Sequence, residues 1–301
     1  MILSVIIPTY NPSIDRLIMT INGLNNQSLD KKDWELIIID NNSTFKFEQH
    51  IILPSNAKII IEPKQGLTFA RLKGFETAKG SIIVMVDDDN ILDENYLTNC
   101  VAIFNQYPNM GAIGGNIEGE FESPPPDWAK DFFGMLAIRN LGSATLIENG
   151  NQHAYPNSSP VGAGMGIRKS ALHKYLQEIN QNVGLISDRS GTNLTSSGDN
   201  EIVMQIILSG FDIGFFPQLT MKHLIPSVRL TSAYLGKLNE GIMQSWTSFL
   251  LKYKICPWNT FYKYTLQFRI IKAYFKHKPW KNPHQHIIFK GVLGQLKSLA
   301  R

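Results

Sequence analysis

Cysteine is nearly absent: Cys100 and Cys256 are the only two in 301 residues, and neither lies in a CxxC or a Cys/His cluster. That excludes a disulfide framework and a tetrahedral zinc site, and it leads us to expect a reducing compartment. No run reaches the ~18 apolar residues of a membrane-crossing helix. The N-terminal "MILSVIIPTYNPS" lacks a basic segment, and Pro8 cuts its apolar run short, so it does not read as a signal peptide. Internal repeats and low-complexity tracts are also missing. The strongest absence is of negative charge. Residues 241–301 carry 11 Lys and Arg and no acid, whereas residues 1–240 carry 18 against all 25 Asp and Glu. The net charge of +4 therefore combines a body at −7 with a tail at +11. A basic, aromatic tail of this kind points to an anionic surface as partner.

The length supports one large domain, or one with an appendage. Its first third alternates short apolar strands with helices. "ILSVII" (2–7) reads as a buried strand stopped by Pro8, and 13–26 has helical spacing. "WELIII" (34–39) and "AKIII" (57–61) are strands, 66–80 is a helix with glycine at both ends, and "SIIVMV" (81–86) is a fourth strand. Continuous apolar strands separated by helices predict a parallel sheet covered on both faces. Such sheets bind ligands beyond the carboxyl ends of their strands.

After residue 110 the pattern changes. "GAIGGNIEGEF" reads as an irregular strand, and "ESPPPDWAKDFF" as a proline-stiffened loop entering a helix. "VGAGMGIRKSAL" runs from loop to strand to helix, and polar residues 180–198 read as a loop. "DNEIVMQIILSGF" reads as an amphipathic helix and "DIGFFP" as a short strand. The Gly-rich "VGAGMG" lacks the preceding strand that a dinucleotide motif requires. Its glycines suit close backbone approach to a sugar instead.

Chemistry concentrates at the strand ends. Pro8, Thr9, Tyr10 and Asp40 fall there, as do the consecutive carboxylates Asp87, Asp88 and Asp89. Three carboxylates at one strand end repel unless a cation joins them. Hard cations such as Mg²⁺ or Mn²⁺ take oxygen ligands, and Mg²⁺ is held by one or two carboxylates plus substrate phosphates. A solvated acidic turn is the plainer alternative.

The segments "SVIIPTYN", "WELIIIDNNS", "GLTFARLKGFETAKGSIIVMVDDDN", "VGAGMGIRKSAL" and "SSGDNEIVMQIILSGFDIGFFP" occur in that order over about residues 3–225. In their order and spacing they resemble the family 2 glycosyltransferases. The resemblance implies an α/β GT-A fold, with a mostly parallel central sheet flanked by helices and a basic helical extension at 241–301. It further implies a nucleotide-binding part at about 1–110 and an acceptor-binding part at about 111–240. The implied reaction is inverting transfer from a nucleotide-sugar, UDP first, to a hydroxyl of a glycan or lipid-linked glycan. The implied setting is surface-polysaccharide assembly, in the cytoplasm or peripherally on the inner face of the cell membrane. No nucleic-acid partner is implied.

By the same resemblance, Pro8, Thr9 and Tyr10 would line the nucleotide pocket and Asp40 would accept a hydrogen bond from the base. Gly66 and Arg71 would lie against base or phosphates, and Asp87 or Asp88 would meet the ribose. Asp89 would bind Mn²⁺ or Mg²⁺, with His223 completing the metal site and Arg229 near the diphosphate. Asp199 would be the general base, with Glu201 in reserve, because the usual Glu before this Asp is replaced by Gly198. Both acids also suit a helix N-terminus. Trp128 would stack on an acceptor sugar or sit in the core. The alternatives are a metal-dependent phosphohydrolase or a non-catalytic sugar- or membrane-binding module. The first wants a nucleophile where "PTYN" stands, and the carboxylates at 87, 89 and 199 argue against the second.

In the tail, Pro257 divides 247–276 into two predicted helical pieces. Phe261, Tyr264, Phe268, Ile271 and Phe275 recur at steps of three and four, which predicts one shared helix face. That face fits an interfacial helix, or packing on the body.

Overall fold

The computed structural model of the chain describes residues 1–149, 154–180 and 197–301. Strands β1 (Leu3–Thr9), β2 (Trp34–Asp40), β3 (Ala57–Ile61) and β4 (Ile82–Met85) arise from the β-branched runs. They pair in parallel in the spatial order β3-β2-β1-β4. Helices α1 (Ile14–Asn25) and α2 (Leu67–Thr77) carry the crossovers β1 to β2 and β3 to β4. Side chains alternate across the sheet. Leu3, Val5 and Ile7 meet Leu17, Ile21 and Leu24 of α1 on one face, while Ile6 meets Ala70 and Phe75 of α2 on the other. Burial on both faces is why these strands lack polar alternation.

β1 runs through Pro8 to Thr9 rather than stopping before it. Ile6 O accepts from Val86 N on the β4 side, and Thr9 O accepts from Asn41 N on the β2 side. Pro8 therefore turns its missing N–H toward the β4 side, where pairing has ended at Ile6 opposite Met85. No ladder bond is lost, which is the condition under which a strand tolerates proline.

The rest of the sheet is mixed. Its elements are β5 (Asn90–Leu92), α3 (Tyr96–Gln106), β6 (Met110–Phe121), β7 (Leu146–Glu148), β8 (Gly166–Arg168), α4 (His173–Asn180), α5 (Gly198–Leu208) and β9 (Asp212–Ile225). β8 pairs antiparallel with β4 and β6, β6 runs parallel to β9, and β5 and β7 pair antiparallel with β9. The expected short strand "DIGFFP" is the first half of β9, which continues through a register shift opposite Gly114–Asn116 to Ile225. His223 thus sits within a strand. The expected loop at 180–198 lies, for 181–196, outside the described residues.

Helix α5 corrects a second expectation. Residues 201–207 are all buried, so the helix is covered all round rather than amphipathic. Its second cover comes from α6 (Ser232–Lys252), whose Phe249 and Leu250 pack on Met204, with Trp246 and Tyr253 alongside. α6 continues unbroken across residue 240, so the first part of the tail belongs to the wall of the body. Beyond it lie α7 (Leu266–His277) and α8 (Pro283–Leu299). The Asn282 side chain caps α8 by accepting from Gln285 N at 2.9 Å.

α8 lies close along α6. Glu240 of α6 accepts from Lys290 at 3.0 Å and from Lys297, so part of the tail's basic charge meets the body's acid. Close approach also depends on Gly294, where a Cβ would overlap the Glu240 carbonyl oxygen. Replacing a mid-helix glycine usually gains ~1 kcal/mol of helix propensity. Here the overlap is with backbone, which no rotamer relieves, so the steric cost wins. Gly294→Val is expected to lower unfolding stability by about 1–3 kcal/mol, read by denaturant titration. Unchanged or raised stability would show that the two helices do not pack this closely.

Candidate functional site

Strands β1, β2 and β4 end at one edge of the sheet, and a cleft of about 700 Å³ opens there. Pro8, Thr9 and Tyr10 follow β1 into it, Asn41 follows β2, and Asp87, Asp88 and Asp89 follow β4. Gly66 and Arg71 come from the start of α2. Val161, Gly162 and Ala163 come from the turn before β8, and Asp199 and Asn200 from the first turn of α5. β9 supplies His223, the turn Ser227–Leu230 supplies Arg229, and α6 supplies Tyr234, Leu238, Ile242 and Trp246.

The three carboxylates are held differently. Asp87 is fixed through its backbone, its N–H donating to Asn90 Oδ1 at 3.1 Å. Asp88 accepts from the Thr9 hydroxyl. Burial and the neighbouring charges of Asp89 and Asp87 push the Asp88 carboxyl up to about 6, against the lowering effect of Thr9. Asp89 is only 4% exposed, yet burial is outweighed by His223 and Arg229, which hold it below the ordinary carboxylate range. Its Oδ1 is 3.3 Å from His223 Nε2 and its Oδ2 is 3.1 Å from Arg229 Nη1.

The β5–β9 ladder makes this meeting possible, because Asn90 stands opposite His223 in register. His223 Nδ1 lies 2.8 Å from Leu136 O. A carbonyl only accepts, so Nδ1 carries the hydrogen and Nε2 presents its lone pair to the cleft. Arg229 Nη1 lies 3.2 Å from that Nε2. The guanidinium thus puts positive charge between an imidazole lone pair and a carboxylate, which is the environment a divalent cation would find.

On the opposite wall, Asp199 accepts from Gly162 N through Oδ2 and from Asn200 N through Oδ1, each at 2.9 Å. Every oxygen keeps a lone pair for a further partner. Arg71, 5% exposed, extends its guanidinium beside Gly162, so it and Asp199 share one corner of the cleft. Gly66, at φ 134°, opens α2 in a conformation that a side chain resists, and its N–H donates to Asn41 Oδ1 at 2.7 Å.

The profile described as "Glycosyl transferase family 2" matches residues 4–176. The chain belongs to that family. Among relatives of this family 2 glycosyltransferase, a probable glycosyltransferase of Sulfolobus acidocaldarius is 30% identical over 57% of this chain and 37% of that protein. The glucosyl-dolichyl phosphate glucuronosyltransferase of Haloferax volcanii is 23% identical over 48% of this chain and 41% of its own length. The chain therefore spans less than half the length of either curated relative. Among solved structures, S. aureus TarS 1–349 in complex with UDP-GlcNAc aligns over 100% of this chain and 84% of that one, at a TM-score of 0.55 and 15% identity. Its complex with UDP gives 0.53 and 17%. At that identity the likeness concerns the fold, and the fold is GT-A.

Two residues anticipated for the site lie outside the cleft of this family 2 glycosyltransferase. Asp40 sits at the end of β2, its Oδ1 accepting from Ser43 N at 2.9 Å in the turn. Its neighbour Asn41 lines the cleft and ties the loop before α2 through Glu62 O and Lys64 O. Glu201 is 1% exposed and turns away from the cleft, accepting from Lys252 and, at 2.6 Å, from Tyr253 OH. Spacing put Glu201 and Asp199 together. The helical step of two residues sends them to different sides. Trp128 packs with the Ala129, Phe132 and Ile225 cluster rather than lining the cleft. Sequence reasoning missed Asn41 and the α6 wall. The spacing of Tyr234, Leu238, Ile242 and Trp246, four apart, marks that helix face in retrospect.

Because Glu201 joins α5 to α6, Glu201→Gln is expected to cost about 1.5–3 kcal/mol of stability. Transfer per folded molecule should be retained. Chemical denaturation checks the first, and turnover normalised to folded protein checks the second. A fully folded but inactive variant would return Glu201 to the reaction.

Proposed function

We propose that the chain is an inverting glycosyltransferase moving a sugar from a nucleoside diphosphate, UDP foremost, to a hydroxyl of a glycan or lipid-linked glycan. The observation that carries this is the opposition, across one cleft, of an acceptor-ready carboxylate at Asp199 and a cationic, carboxylate-bearing strand end at Asp89, His223 and Arg229. TarS in complexes with UDP and UDP-GlcNAc supports the choice of donor, and the dolichyl phosphate acceptor of the Haloferax relative supports a lipid-linked one.

In this reading Pro8, Thr9 and Tyr10 border the base and ribose, with Asp40 and Asn41 at the edge of that subsite and Asp87 and Asp88 beside the sugar hydroxyls. Residues of about 1–110 serve the donor, and those of about 111–240 with α6 serve the acceptor. The acceptor hydroxyl gives its proton to Asp199 as its oxygen bonds the anomeric carbon. The bond from that carbon to the diphosphate breaks, and the electron pair leaves on the phosphate oxygen. Arg71 and Arg229 offset the charge that grows there.

Mn²⁺ or Mg²⁺ fits this strand end. Asp89 Oδ1 and His223 Nε2 converge to 3.3 Å, and the hydrogen bond from His223 Nδ1 to Leu136 O orients the ring as outer partners of metal-bound histidines do. No group of three acidic, His or Cys ligands is found among the described residues. Two protein ligands, with substrate phosphate oxygens completing the shell, match how such ions are commonly held. The bound ion would add Lewis-acid neutralisation of the leaving diphosphate.

Asp199→Asn keeps both backbone hydrogen-bond acceptors in outline but cannot take a proton. It is expected to lower kcat by ~10²–10⁴-fold while leaving donor affinity nearly unchanged. Single-turnover transfer from a UDP-sugar, alongside calorimetric UDP binding, checks both. Near wild-type transfer would remove Asp199 from the base role.

A further inference from the structure

The tail keeps a face uncovered. Phe268, Ile271 and Phe275 of α7 are 72%, 55% and 63% exposed, and Tyr262, Tyr264 and Trp280 extend the same apolar surface at either end. The other side of α7 is the packed one. Ala273 is buried and Tyr274 sits edge-on to Phe289 of α8. Phe261, expected on the exposed face, instead pairs its backbone with Leu299 and Arg301, and its ring lies 4.1 Å from the Arg269 guanidinium. The helix proper begins only at Leu266.

Cations border the uncovered face. Lys263, Arg269, Lys272, Lys276, Lys278 and Lys281 are exposed, and among the described residues none forms an ion pair. Lys252, Lys290 and Lys297 show that the tail does use body carboxylates where it packs. The α7 cations are the remainder that the body leaves unmatched. A second copy of this chain seated on the face would bring two such acid-free sets together, and like charges oppose that. No helix of the described residues is long and apolar enough to cross a membrane. What remains is a shallow apolar strip with cationic borders, the pattern of a helix lying in a lipid interface.

We infer that the α7 face docks the protein on an anionic lipid surface. Phe268, Ile271 and Phe275 enter the boundary between headgroups and acyl chains, and Arg269, Lys272 and Lys276 reach anionic headgroups along their apolar stems. α6 links this surface to the chemistry, since the helix that lines the cleft with Tyr234, Leu238, Ile242 and Trp246 leads into the segment bearing α7. The inference stands apart from the proposed reaction, because lipid binding is read without turnover.

The test is co-sedimentation of the full chain with phosphatidylglycerol/phosphatidylcholine vesicles and with pure phosphatidylcholine vesicles. Wild type is expected to partition strongly onto the anionic vesicles only. The triple change Arg269→Gln, Lys272→Gln, Lys276→Gln removes three cations and is expected to weaken that binding on the order of a hundredfold. Phe268→Ser, Ile271→Ser, Phe275→Ser is expected to abolish it, and both variants should keep the wild-type melting temperature because the altered side chains are exposed. No binding by wild type, or wild-type binding by either variant, overturns the inference. So does a concentration-dependent dimer in analytical ultracentrifugation that the apolar variant breaks, since a second copy would then cover the face.

Discussion

Packing three carboxylates at the end of one strand is the constraint to which the rest of the structure answers. At ~4 Å, like charges near a protein surface repel by several kcal/mol. The chain divides the load. Asp87 is turned by Asn90, Asp88 is hydrogen-bonded by Thr9, and Asp89 is faced by His223 and Arg229. Each partner comes from a different part of the chain, so the arrangement requires β1, β5, β9 and the turn after β9 to close on one point. The short β5 strand does most of this by placing Asn90 opposite His223. What the fold holds ready there is a paired but exchangeable charge: Asp89 is neutralised by an arginine whose position a better cation can take.

The second wall of the cleft is built by burial rather than by charge. α5 presents Asp199 from its first turn, and its orientation is fixed because residues 201–207 are gripped on every side. One cover is the sheet. The other is α6, bonded to α5 through Lys252, Tyr253 and Glu201. The tail is therefore coupled mechanically to the reacting edge even though its far end faces outward. A chain ending inside α6 would lose a wall of the cleft together with its lipid-facing segment.

The parallel half of the sheet was legible because four continuous β-branched runs leave little else to fold. The acidic triplet, Arg71, Asp199 and His223 were legible as candidates through a family resemblance in motif order, and the cleft gathers all of them. Other features were not legible because they depend on contacts distant in sequence. Pro8 reads as a strand terminator until the neighbouring strand is seen to stop first. Glu201 reads as a reserve base until Lys252 and Tyr253, about fifty residues later, are seen to bury it. Three-residue β5 and β7 carry too little pattern to stand out. The exposed face of α7 was visible in the spacing, but whether the body covers it could be read only from the fold.

The central claim is that Asp89 and His223 accept a divalent cation together with a nucleoside diphosphate. Electron paramagnetic resonance of Mn²⁺ tests it most directly, because the signal of the free aqueous ion fades as the ion is bound. The account predicts that the free-ion signal falls when wild-type protein and UDP are both present, well beyond the loss with either alone. It also predicts that Asp89→Asn restores the free-ion signal. Loss of signal that is indifferent to the Asp89→Asn substitution, or no loss when protein and UDP are combined, would contradict it.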